Sequence, residues 1–156
     1  MVAELQDQLT LLVPQNLPVQ VVDHVGNQEL ISATAAVGLF KQLKPGEDKP
    51  TVIVFDLYGT DNKPRIRSVP NNAITAIEQI GEISHSVPSV VYTHVIEYLR
   101  NSPTQRDRVQ NALRKAGIKD DQIIHKLRHQ PSGQTFKDDM KQICLVIARM
   151  LKTFER

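Results

Sequence analysis

The chain has 156 residues, 40% of them hydrophobic and 23% charged, with a net charge of +2 and a single cysteine. That length supports one domain with its own core, and no apolar stretch reaches the roughly 20 residues that a membrane-spanning helix needs. The lone Cys144 excludes an internal disulfide and suits a reducing compartment, so a cytoplasmic location is expected; residues 1–8 also lack the basic start and apolar centre of a secretion signal.

Along the chain, Val2, Leu5, Leu9 and Leu12 recur at the spacing of a short amphipathic helix. The first 16 residues thus read as an N-terminal helix, with an extra strand over Leu9–Val13 as the alternative. Pro14 and Pro18 end this element. Residues 18–23, Pro-Val-Gln-Val-Val-Asp, have strand character, and Gly26-Asn27 turns the chain into an Ala- and Leu-rich helix over 28–43. Thr51-Val-Ile-Val-Phe then forms an uninterrupted β-favouring run into Asp56, the pattern of a strand buried on both faces. Asn71 or Asn72 can cap a helix that carries Ile74, Ile77 and Ile80. Pro88 opens a second strong strand, Ser89–Thr93. Ser102-Pro103 starts a helix that ends at Gly117, and Gln122–His125 reads as a short strand. Thr135 and Asp138 resemble a capping box that opens a last helix through Met140, Ile143, Ile147 and Leu151.

Strands alternate with helices, with connections short enough for right-handed crossovers. The expected fold is one α/β domain over residues 1–156: three layers, doubly wound, with a mainly parallel sheet of four or five strands.

Charge is distributed unevenly. Residues 1–99 hold 6 Lys or Arg against 11 Asp or Glu, net −5, and residues 100–156 hold 13 against 6, net +7. A basic half can face nucleic acid. Here Asp107, Asp120 and Asp121 interleave with the cations, and no aromatic residue between positions 99 and 135 is present to stack on bases. A solvated helix face fits better, and a nucleic-acid partner is not expected.

Asp23, Asp56, Thr93 and the pair His125-Lys126 close successive strands. In a parallel sheet they gather along the carboxyl edge, where α/β proteins collect ligands and chemistry. A carboxylate beside a hydroxyl and an ammonium suits acyl-phosphate formation: the carboxylate attacks phosphorus, and Thr and Lys bind the transferred oxygens. His24, His94 and His125 also fall at strand ends, with His129 nearby, but their spacing lacks the pairing of a helical metal site, and no metal site is assigned to them.

Val-Ile-Val-Phe-Asp56-Leu, Val-Pro-Ser-Val-Val-Tyr-Thr93 and the run from Ala112 through Ile-Ile-His-Lys126 to a closing helix resemble the receiver domain of response regulators over residues 18–153. The resemblance implies Asp56 as phospho-acceptor, Thr93 as switch hydroxyl and Lys126 as the family's lysine. It departs from the family in its acid pocket, represented only by Asp23-His24, and in Tyr58-Gly59-Thr60, which replaces the proline and glycine expected after the acceptor. It therefore implies an atypical receiver or pseudo-receiver: a signalling and interaction module, not an enzyme, acting through a protein partner or homodimer, with Mg²⁺ bound weakly at best.

A second, local resemblance joins Phe55-Asp56-Leu57-Tyr58-Gly59-Thr60 to the first motif of the haloacid dehalogenase superfamily. It implies a small hydrolase with Asp56 as nucleophile, Thr93 as second motif and Lys126 or Lys137 as third. Asp138-Asp139 would have to supply the fourth, acidic motif.

Overall fold

The computed structural model describes residues 2–12, 52–57, 69–128 and 131–154. Helix α1 spans Val2–Leu12, strand β1 Ile53–Leu57, helix α2 Val69–Ser84 and strand β2 Ser89–Thr93. A one-turn helix α3, Val95–Tyr98, leads to α4, Pro103–Lys115; a 3₁₀ turn at Asp120–Gln122 precedes strand β3, Ile123–His125, and α5 closes the chain at Gly133–Phe154. Over Leu9–Leu12 the helix, not the strand, is formed. The strand expected at 18–23 and the helix at 28–43 lie outside the described residues.

Among the described residues the sheet has three strands in the order β1-β2-β3, all parallel. Asp56 stands opposite Tyr92, and Leu57 opposite Thr93, which in turn faces His125. Because side chains alternate between the faces of a strand, these registers divide the core in two. On one face Leu57, Val91 and Ile123 pack with Ala73, Ile77 and Ile80 of α2 and with Val109 and Leu113 of α4. On the other, Val90, Tyr92 and Ile124 pack with Leu5 and Leu9 of α1 and Met140, Ile143, Cys144 and Ile147 of α5. Each fully buried aliphatic side chain contributes about 1.5–3 kcal/mol, and β2, buried along its whole length, is the centre of both clusters.

The helix ends show where local chemistry sets the boundaries. Pro103 occupies the first turn of α4, where its missing N–H costs nothing. At the other end the Ile118 N–H bonds the Leu113 carbonyl at 3.0 Å and the Gly117 N–H bonds that of Arg114 at 3.0 Å. Together these two bonds are a Schellman motif, which needs a left-handed residue; Gly117 supplies it at φ 80°. Two expected caps are displaced. Helix α2 begins at Val69, so Asn71 lies inside its first turn, where its side-chain oxygen accepts a bond from Arg108 at 3.0 Å. Helix α5 begins at Gly133, upstream of Thr135, and Asp138 accepts from Gln134 Nε2 at 2.8 Å.

Candidate functional site at the carboxyl edge of the sheet

Parallel pairing brings the ends of β1 and β3 to one edge, on either side of β2. The Thr93 carbonyl accepts the Lys126 N–H at 2.7 Å, which extends the β2–β3 ladder by one step past His125. Lys126 therefore keeps the strand alternation and falls on the face of Ile124, Tyr92 and Asp56. Its Nζ donates to Asp56 Oδ1 at 2.5 Å. The two partners differ in access to water: the Lys126 side chain is 4% exposed and that of Asp56 32%.

The ammonium also lies over the Tyr92 ring, 4.4 Å from its centroid. Tyr92 is buried, and its hydroxyl donates to Asp139 Oδ2 at 2.6 Å. Asp139 sits on the inner side of α5 at 7% exposure. The order is Asp56 carboxylate, Lys126 ammonium, Tyr92 ring, Asp139 carboxylate, running from the sheet edge to the last helix. Among the described residues no buried side-chain nitrogen or oxygen lacks a hydrogen-bond partner.

Thr93 is not part of this chain of contacts. Its register with Leu57 puts it on the α2–α4 face. Its hydroxyl, fully buried, accepts the Val95 N–H at 3.1 Å and so closes the entry to α3. His94 turns toward the backbone, with Nδ1 2.6 Å from the Lys126 carbonyl; a carbonyl only accepts, so Nδ1 carries the proton. Partial burial holds the His125 imidazole below its ordinary value of 6.5, with Glu97 and then Asp120 opposing the shift. The described residues contain no group of three or more His, Cys, Asp or Glu suited to a metal ion. Asp23, His24, Tyr58 and His129 lie outside those residues.

No protein-family model, curated protein or solved structure matches this chain.

Two of the expected residues, Asp56 and Lys126, are thus brought into direct contact, and Thr93 is kept from them by one step of strand register. Lys137 and Asp138 are exposed on α5, while Asp139 is engaged by Tyr92. The sequence reading missed Tyr92 and the link it makes to Asp139. A signal was present: Asp139 falls on the inner stripe of the last helix, beside Met140, where an acid needs a partner.

The donor chemistry bears on Mg²⁺. A receiver-type cation site gathers several carboxylates; the described residues hold no group of three such ligands, and Asp56 already carries an ammonium. That set does not fit a Mg²⁺ site. Among the described residues no helix is long and apolar enough to cross a membrane.

Proposed function

We propose that this chain is a receiver-like signalling module in which the charge of Asp56 is the signal. The observation that carries the proposal is the Lys126 ammonium seated on Asp56 at the carboxyl edge of parallel strands. Asp56 keeps enough exposure to meet a small phosphodonor, and Lys126 is held where a phosphoryl oxygen on Asp56 would sit. The strand order and the split of helices between two faces agree with a doubly wound, flavodoxin-like sheet. In this proposal the whole sheet has four or five strands.

The step is a phosphoryl transfer. An Asp56 oxygen forms a bond to the phosphorus of a small acyl phosphate while the bond from phosphorus to the donor's carboxylate oxygen breaks. That carboxylate leaves with the electron pair, and Lys126 neutralises charge on the transferred group. The module then acts through a protein partner or a second copy, reached by α5 and its neighbouring strand.

Intact-mass measurement after incubation with acetyl phosphate and Mg²⁺ tests the proposal. A single phosphoryl adduct that disappears in Asp56→Ala supports it. An unmodified chain overturns phosphorylation at Asp56 and leaves the pseudo-receiver reading. Steady turnover of phosphate esters or haloacids would instead favour the hydrolase alternative, which is weakened by the engagement of Asp139 with Tyr92.

A further inference from the structure

The Asp56–Lys126 pair accounts for one acid at a buried cation, yet a second acid stands behind it. Lys126 is almost wholly removed from water, where a cation needs compensation on every open side. Asp56 covers one side and the face of Tyr92 another, at 4.4 Å. A ring attracts a cation through the negative charge on its face. Asp139 bears on that charge: a carboxylate 2.6 Å from the phenol oxygen draws the hydroxyl proton toward itself, and the ring gains electron density. Short O–H···O⁻ bonds of this length are charge-assisted.

We propose that Tyr92 and Asp139 are positioning residues that serve as a second counter-charge for Lys126, holding its ammonium in place when Asp56 no longer balances it. Asp139 acts through the Tyr92 ring, without reaching the lysine. The arrangement has a consequence for the phosphoryl-transfer reading, on which this part rests. When Asp56 becomes an acyl phosphate, Lys126 stays at the edge and meets the new oxygens.

The test needs no phosphodonor, so it stands apart from the failure or success of phosphorylation. The reactivity of Lys126 toward a small acylating reagent is read by peptide mass, with exposed Lys115 as internal reference, in the wild-type chain, Asp56→Asn, Tyr92→Phe and the double variant. Tyr92→Phe keeps the ring and its packing and removes only the hydroxyl bond. We expect labelling of Lys126 in Asp56→Asn to remain within about threefold of wild type, and to rise by a further factor of about three or more in the double variant, which keeps the ring and loses only the electron density that the hydroxyl bond lends it. Asp139→Asn should behave as Tyr92→Phe does; if it does not fold, Tyr92→Phe carries the test alone. The proposal is overturned if Asp56→Asn by itself makes Lys126 as reactive as Lys115, or if Tyr92→Phe adds nothing to Asp56→Asn.

Discussion

Removing one partner at a time from the Asp56–Lys126 pair should give unequal losses of stability. At an effective dielectric of 20, unit charges 4 Å apart attract by about 4 kcal/mol before desolvation is counted. Truncating one member of a fully buried pair costs about 3–5 kcal/mol, most of it from the charge left behind. In Asp56→Ala the charge left behind is Lys126, which is 4% exposed. Because Asp56 itself is 32% exposed, and the Tyr92 ring still faces the ammonium, the expected loss is discounted to about 2–3 kcal/mol. In Lys126→Met the charge left behind is Asp56, which water can reach, and the apolar stem is preserved, so about 0–1 kcal/mol is expected. The double variant should recover most of the loss seen in Asp56→Ala. Urea denaturation with unchanged slope measures these differences, and for a chain of this size Asp56→Ala should lower the melting temperature by roughly 5–10 °C. Asp56→Asn, which keeps an acceptor oxygen, should fold with a smaller loss. If Lys126→Met costs as much as Asp56→Ala, or if the two losses simply add, the asymmetry of burial is not what governs this pair.

Four further outcomes are expected. His125 is held below 6.5 in the folded chain, so the unfolded chain binds more protons between the two values; stability should be greatest above pH 6.5 and fall as the pH drops through that window, and His125→Gln should flatten that slope in denaturation curves measured between pH 5 and 7. Burial, with a smaller effect from Glu4, pushes the Cys144 thiol up to about 11; it should react with an aromatic disulfide at pH 8 only as fast as the chain unfolds, and denaturant should expose it fully. Gly117→Ala should destabilise by about 1–2 kcal/mol, because the residue sits at φ 80° and a methyl there would lie 3.2 Å from His85 Nδ1; a melting temperature unchanged within a degree would refute this. Mg²⁺ titration followed by amide shifts near residue 56 should show no saturation at about 1 mM, a binding energy of about 4 kcal/mol, since Lys126 already neutralises the carboxylate.

Much of the architecture was legible because it depends on local pattern. The Ser89–Thr93 strand was read with its bounds intact, since a Val-Val-Tyr-Thr run of β-branched and aromatic residues behind Pro88 has few other uses. Pro103 and Gly117 marked both ends of α4 for reasons intrinsic to the residues. Asparagines and hydroxyl residues misled at α2 and α5, because a cap candidate inside the first turn looks the same in sequence as one outside it. Asn71 instead makes its contact with Arg108, 37 positions away, which no local rule contains. The one-turn helix α3 was missed for a related reason: its four residues are too few to show a period, and it is started by the Thr93 hydroxyl, whose role emerges only when β2 ends there.

The candidate site divides along the same line. That Asp56 and Lys126 share an edge follows from two strand ends in a parallel sheet, and sequence order suffices for it. Which face each side chain takes depends on register, and a shift of one residue moves a side chain to the opposite face. Asp56 lies opposite Tyr92, not Thr93, and that single step separates the hydroxyl from the ion pair. The same step puts Tyr92 beneath Lys126 and aims its hydroxyl at α5. An acid on the inner stripe of that helix then becomes tolerable, because a partner waits 47 positions earlier in the chain. Tyr92 therefore holds the place that the strand-end pattern assigned to Thr93, and it gives the buried lysine an aromatic face, and behind that a carboxylate, where a hydroxyl would have offered one hydrogen bond.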